Sequence, residues 1–126
     1  MGLYKAQGQV LINGEPLNLD KLGSALEHKI AFVSEDRKGV GLLLNESIEH
    51  NIIFSAMQTN NKFLKRVLWM RLYDKKAARE HAQEMVKRLD IRCTGIRQAA
   101  GRLSGGNQQK VCLARALTLE PDILFV

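Results

Sequence analysis

The sequence has too few cysteines, in too loose a pattern, for a disulfide framework or a zinc site. Its two cysteines, Cys93 and Cys112, stand far apart, with no CxxC pair. The three histidines, His28, His50 and His81, have no companion ligands at metal-binding spacing, so we expect them to be structural or exposed. No metal site is therefore predicted, and the cysteine usage suits a reducing compartment.

Long apolar runs are also missing. No stretch approaches the roughly 18 to 20 residues that a membrane-spanning helix needs. The first residues do not form a charged segment followed by an apolar stretch, which is the pattern of a signal peptide. If this protein acts at a membrane, we expect it to associate peripherally.

The bulk composition is that of an ordinary globular domain. Hydrophobic residues make up 45% and charged residues 25% of 126 residues, a length that favours a single domain. The net charge of +6 raises the possibility of an anionic partner. Between Lys62 and Arg92, however, basic residues alternate with acidic ones such as Asp74 and Glu84, which favours a solvated helix face over a nucleic-acid footprint.

Strand signals lie at both ends of the chain. Residues 9–12 and 15–17 flank Asn13-Gly14, the strongest short hairpin signal, because both residues adopt positive φ cheaply. Residues 29–33 form an apolar, β-favouring run that ends at a charged loop, and residues 123–126 are predicted to form a fully buried strand.

Three helices are predicted between these strands. A helical pattern begins at Ser47, and an amphipathic helix covers residues 74–89 with Asp74 as N-cap. A third helix is expected from Ser104 to about Leu119, where Glu120-Pro121 stops it. Trp69 and Tyr73, four residues apart, are interpreted as a packed pair on a helix, with an exposed surface for a membrane partner as the alternative.

The order of elements indicates an α/β domain that carries a helical insertion. The chain stops inside a predicted strand, so we expect it to be a piece of a longer protein.

The stretch from Leu103 to Lys110, LSGGNQQK, carries the most specific chemistry. Ser104 is able to cap the helix, and two glycines leave the first-turn amides open to close approach by an anion. The helix dipole stabilises such an anion by about 0.3 to 1 kcal/mol. Followed by Ala-Arg-Ala-Leu, a proline and an apolar strand, this string resembles the signature region of ABC ATPases leading into the Walker B strand.

The resemblance implies roles for several residues. In that family the signature serine and glycines of one nucleotide-binding domain reach the γ-phosphate of ATP held by an opposing domain. The matching residues here are Ser104, Gly105 and Gly106, with Asn107 and Gln108 close behind. The magnesium-binding aspartate and the catalytic glutamate of the family would follow Val126.

A second match lies after the strand of residues 29–33. Residues 32–42 look like the Q-loop region of the second of two fused ATPase domains in carbohydrate importers of the ribose and galactose type. There Glu35 takes the place of the usual glutamine. A carboxylate at this position is able to ligate magnesium or orient water, so Glu35 is the candidate catalytic residue.

The resemblance therefore implies a partial P-loop NTPase domain of the ABC type, without its P-loop. No GxxxxGK[ST] motif occurs in the chain. Residues 1–40 would hold core strands and the Q-loop-like segment, residues 41–103 the helical subdomain, and residues 104–126 the signature helix and the start of the Walker B strand.

The same resemblance implies cofactors, partners and a location. ATP and Mg²⁺ would act in the full assembly, with neither bound tightly by this piece alone. The partners would be a second nucleotide-binding domain, a membrane permease and, indirectly, a solute-binding protein, with no nucleic acid. The protein would lie in the cytoplasm, peripheral to the inner face of the membrane.

Two alternatives remain open at this stage. One is an ABC-type ATPase of DNA repair or chromosome organisation, although the interval between Gly41 and Leu103 is too short for a long coiled coil. The other is a small basic nucleic-acid-binding module, which only the net charge supports.

Overall fold

The computed structural model describes residues 10–12, 14–17, 28–33, 41–67 and 70–126. Within these ranges the chain forms three helices packed together and three two-stranded sheets. No helix in the described ranges is both long enough and apolar enough to cross a bilayer.

The predicted strands at both ends of the chain are present. Strands β1 (Val10–Ile12) and β2 (Glu15–Leu17) form an antiparallel hairpin, in which Gly14 has φ +86°. Strands β3 (Ile30–Phe32) and β6 (Ile123–Phe125) pair in parallel. Because parallel pairing needs a crossover, the chain between the two strands returns to the sheet, and the helix just before β6 packs against β3.

The three predicted helices are confirmed to within one or two residues. They are α1 (Ile48–Thr59), α2 (Lys75–Arg88) and α3 (Gly105–Thr118). Ser47 caps α1 by accepting a hydrogen bond from the His50 amide at 3.0 Å, and Asp74 caps α2 through Ala77. A short 3₁₀ helix, Ala100–Arg102, precedes α3.

The helix expected around Trp69 and Tyr73 was wrong at Tyr73, while the packing of the two side chains stays a prediction. Strands β4 (Leu64–Val67) and β5 (Met70–Tyr73) form an antiparallel hairpin with Val67 opposite Met70. Tyr73 therefore lies on a strand, and Trp69 is outside the described residues. The basic residues of this segment suggested a solvated helix. Helix α1 ends at Thr59, however, and the positive φ of Asn61 and Phe63 prevents the helix from continuing into this segment.

The core lies between α1 and α3, with α2 packed against α1. Its fully buried side chains come from apolar positions three and four residues apart, as an amphipathic helix requires. The buried apolar residues of the three helices are Ile48, Ile52, Ile53, Ala56, Ala78, Ala82, Met85, Val111, Cys112, Ala114 and Ala116.

The prediction that residues 123–126 form a fully buried strand was wrong in its burial. Phe125 is 51% exposed and Val126 is 88% exposed. Phe32, opposite Phe125 in the register, is also exposed. The sheet of β3 and β6 has only two strands in the described part of the chain, so one of its faces has no covering layer there.

Candidate functional site

The predicted signature turn lies on the surface. Ser104, Gly105 and Gly106 are all exposed, and Ser104 occupies the N-cap position of α3 with extended backbone angles. The first helical hydrogen bond of α3 runs from the Gln108 amide to the Ser104 carbonyl at 2.9 Å. The Gly106 amide lies ahead of this bond, in the first turn of α3.

Gly106 leaves room for a ligand in this turn. A Cβ atom placed on Gly106 would have no atom of the chain within 4 Å. The glycine is thus not required by the packing of the fold, because the chain itself would accommodate a side chain. The space on the Cβ side of Gly106 is open to a group from outside the chain, and the helix dipole favours an anion at this end of α3.

Ser104 does not cap α3 with its side chain, contrary to what the sequence suggested. Its hydroxyl makes no capping hydrogen bond and instead accepts one from the Asn107 side-chain amide at 2.9 Å. Asn107 is in turn held by the Arg92 backbone amide, which donates to its Oδ1 at 2.9 Å. Since a hydroxyl has one donor and two acceptor sites, Ser104 keeps its hydrogen for another acceptor.

The side chain of Gln108 points into the chain and not towards solvent. Its side chain is buried and donates to the carbonyl of Leu103 at 3.1 Å and to that of Ala100 at 3.4 Å. The amide therefore closes the 3₁₀ helix against the first turn of α3. Among the predicted site residues, Ser104, Gly105, Gly106 and Asn107 come together in the turn, and Gln108 supports the turn from behind.

The segment before the signature turn is anchored to the loop before α1. The Gly101 amide donates to the Leu44 carbonyl at 2.8 Å, and the Ala100 amide donates to that of Glu46 at 2.9 Å. A Cβ on Gly101 would lie 3.0 Å from the Leu44 oxygen, so a side chain here would crowd the Leu44 carbonyl and glycine fits this close approach best. Ser47 and Ala99 extend the contact as an antiparallel bridge.

Comparison with known protein families identifies this arrangement. The whole chain, residues 1–126, matches the family described as ABC transporter. The chain belongs to the ABC transporter family. The exposed turn of Ser104 to Gly106, at the start of the helix that leads into β6, is where the sequence predicted the signature of this family, and its role stays a prediction. The fold is part of an ABC-type P-loop NTPase domain, as the sequence predicted.

Individual relatives of this ABC chain are named for sugar import. It is 38% identical over 126 residues to the ribose import ATP-binding protein RbsA of Lacticaseibacillus paracasei, covering 99% of this chain and 24% of that protein. It is 34% identical over 127 residues to the xylose import ATP-binding protein XylG of Thermoanaerobacter pseudethanolicus, covering 99% and 24%. The chain thus spans about a quarter of the length of these curated relatives.

A solved structure shares the fold. CbiO1 from Clostridium perfringens, part of the ABC transporter complex cbiONQ, superposes with a TM-score of 0.65 at 20% identity. The match covers 98% of this chain and 44% of that one. At this identity the likeness concerns the fold alone.

The second predicted site residue, Glu35, lies outside the described residues, so its role stays a prediction. Within the described ranges no cluster of three or more metal-ligating side chains occurs.

Two residues that join α3 to α1 were missed by the sequence reasoning. Asn51 is completely buried, and Arg115 of α3 donates hydrogen bonds to it. The available signal was a polar residue between apolar neighbours on a buried helix face: Asn51 precedes Ile52, and Arg115 stands between two buried alanines.

Proposed function

We propose that this chain is part of the ATP-hydrolysing subunit of an importer for a sugar or a related small solute. In this role Ser104 and Gly106 contact the terminal phosphate of an ATP molecule held by an opposing nucleotide-binding domain. The observation that carries the proposal is the exposed signature turn, in which the Ser104 hydroxyl is oriented by Asn107 and the space in front of Gly106 is open.

The residues of this turn fit a phosphate group. The turn offers the Gly106 amide, a hydroxyl donor and the positive end of a helix dipole, and it offers no carboxylate. A Cβ at Gly106 would occupy the space that a phosphate oxygen needs. ATP supplies the phosphoryl group, and this chain's residues bind and orient it; stabilisation of the charge by prepositioned donors is the main physical effect.

Gln108 has a supporting part in the proposal. Its buried amide holds the Leu103 carbonyl, which fixes the angle at which the signature turn leaves the 3₁₀ helix. Glu35 remains the proposed magnesium ligand or water-orienting group, by its place in the Q-loop-like segment.

The importer assignment also specifies partners and location. The names of the relatives RbsA and XylG support a sugar as the solute class. The proposed partners are a second nucleotide-binding domain and a membrane permease, with a solute-binding protein acting indirectly and no nucleic acid. The proposed location is the cytoplasmic face of the membrane.

The chain by itself is proposed to be inactive. It contains no GxxxxGK[ST] motif, whose backbone and lysine hold the β- and γ-phosphates. The proposed assignment to the second of two fused nucleotide-binding domains rests on Glu35 and the residues around it.

The test uses the full-length protein assembled with its permease. We expect Ser104→Ala and Gly106→Ala to lower the ATPase rate roughly ten- to a hundredfold, because each removes or blocks a contact made to the phosphate. Gly106→Ala is the sharper variant. Since alanine is the better helix former, the fold should be unchanged or more stable by up to about 1 kcal/mol, so lost activity cannot come from unfolding.

The matched control is Gln83→Ala, on the exposed face of α2. It should retain the wild-type ATPase and uptake rates. Wild-type rates in both signature variants would show that the turn contacts no phosphate.

A further inference from the structure

One buried side chain holds the loop that precedes α1. Asn51 is 0% exposed and pairs with both backbone groups of Leu43: the Leu43 amide donates to Asn51 Oδ1 at 2.9 Å, and Asn51 Nδ2 donates to the Leu43 carbonyl at 2.9 Å. Asn51 Nδ2 also donates to the Ser47 carbonyl at 3.0 Å. The Asn51 side chain thus bonds backbone groups of the loop as the backbone of a paired strand would. It gives residues 43–47 a defined position relative to α1.

A residue of the signature helix α3 also bonds Asn51. Arg115 Nε donates to the Asn51 carbonyl at 2.8 Å, and Arg115 Nη2 donates to Asn51 Oδ1 at 2.6 Å. Charged donors make shorter and stronger hydrogen bonds than neutral ones, and the planar guanidinium fixes both directions at once. Arg115 therefore joins α3 to α1 and, through Asn51, to the loop.

This contact is costly to build. Burial lowers the pKa of the Arg115 guanidinium, and no salt bridge to it occurs within the described part of the chain. Arg115 is partly buried, and its desolvation is offset by two hydrogen bonds to the oxygens of Asn51 rather than by a carboxylate. The charge of the arginine is therefore tied to the position of Asn51.

The loop is also attached to the segment that enters the signature turn. Leu44 and Glu46 accept hydrogen bonds from Gly101 and Ala100, three residues or so before Ser104. Arg115 lies about three helical turns after Ser104 on α3. The loop is thus bonded directly to the segment before the signature helix and, through Asn51, to Arg115 within that helix, while its other end leads back in sequence to the segment of Glu35.

We infer that Asn51 and Arg115 are positioning residues that hold the loop of residues 41–47 and the signature helix as one body, so that a movement imposed on the loop displaces Ser104 and Gly106. This inference rests on the proposed function. In this inference a movement of the loop reaches the turn of Ser104 and Gly106 through the buried side-chain amide of Asn51. Neither residue touches ATP.

The experiment uses the full-length protein reconstituted with its permease. Variants Asn51→Ala, Arg115→Gln and Arg115→Lys are compared with Thr118→Val, which removes a buried hydrogen bond from the same helix but leaves the loop contacts intact. The measurements are kcat and KM for ATP with and without permease, together with the unfolding temperature.

We expect Arg115→Gln and Asn51→Ala to reduce the stimulation of kcat by the permease roughly tenfold, with KM for ATP changed by less than about twofold. Arg115→Lys should restore part of the stimulation, because lysine keeps a charged donor without the fork. The double variant Asn51→Ala/Arg115→Gln should lose no more than either single variant, since both break the same link. Thr118→Val should lower the unfolding temperature and leave the stimulation intact.

Two results separate the inference from the proposed function. If Arg115→Gln behaves like Thr118→Val while Ser104→Ala still lowers the ATPase rate, the positioning role is overturned and the proposed function stands. If Ser104→Ala is also without effect, the proposed function fails and the inference fails with it. Should Asn51→Ala not fold, the two Arg115 variants decide the question.

Discussion

At the scale of single residues, His81 is a partly buried titratable group whose surroundings act on its charge. Its Nε2 lies 2.9 Å from the Thr118 hydroxyl, which itself donates to the Ala114 carbonyl, so Nε2 carries the hydrogen in this bond. Its ring packs against Phe63 with centroids 5.2 Å apart. Burial, reinforced by Lys62, lowers the pKa of His81, although Glu84 and Glu120 act in the opposite direction.

A pH dependence of stability follows. Because the pKa of His81 in the folded chain lies below the unfolded value of about 6.5, the unfolded state binds the proton more tightly. The stability contributed by neutral His81 is present above pH 6.5 and is lost as the pH falls through that value towards the folded pKa. Urea unfolding at pH 8 and pH 5.5 measures the difference.

The variant His81→Gln retains an amide donor for Thr118 and removes the titration. It should unfold with a smaller change between the two pH values than the wild-type chain shows. An NMR titration that gave His81 a pKa above 6.5 would contradict this prediction.

At the scale of secondary-structure elements, two helices begin with serine in the N-cap position, but the two serines differ in what they do. Ser47 Oγ accepts a hydrogen bond from the His50 amide, so the side chain stabilises α1. Ser104 makes no such bond to α3 and is held by Asn107 instead. The same residue type at the same helix position is thus structural in α1 and available for a ligand in α3.

Alanine substitution distinguishes the two helix starts. Ser47→Ala should lower the free energy of unfolding by about 1 kcal/mol, because an amide in the first turn of α1 loses its acceptor. Ser104→Ala should change it by less than about 0.5 kcal/mol, since only an exposed side-chain contact is lost. Chemical denaturation of both variants checks this difference. Equal losses would mean that Ser104 caps α3 after all.

At the scale of the whole molecule, stability is unevenly distributed. Helices α1 and α3 enclose the core and are joined by Arg115, whereas the hairpin of β4 and β5 exposes Leu72 and Tyr73. The hairpin is held by Tyr73 to Glu49 at 3.4 Å and by Lys65 to Asp74 at 2.7 Å. An isolated two-stranded hairpin is marginally stable in water, so these few contacts decide whether it stays formed.

Hydrogen exchange should reveal this distribution. We expect the amides of α1 and α3 to exchange at least roughly tenfold more slowly than those of Leu64 to Val67, because core helices open only with the whole domain. Mass spectrometry of peptides from the two regions measures the ratio. Hairpin amides that exchanged as slowly as those of α1 would contradict it.

Much of the architecture was accessible from local patterns. The Asn-Gly turn, the apolar spacing of Ile48 and Ile52, and the caps at Ser47 and Asp74 act over a few residues, so they predicted β1, β2 and the helices. The hairpin of β4 and β5 was missed because its sequence, LKRV and MRLY, lacks a glycine or proline turn signal and has the charges of a solvated helix.

The sequence alone determined that a helix with a glycine-rich, anion-favouring start follows Leu103, since backbone chemistry and the LSGG string are local properties. Only the tertiary structure decided that Gln108 turns inward, that Asn107 orients Ser104, and that Arg115 reaches Asn51 across two helices. Those contacts depend on which helix faces are brought together by packing. Local sequence patterns do not reveal a contact between residues that are far apart in the chain.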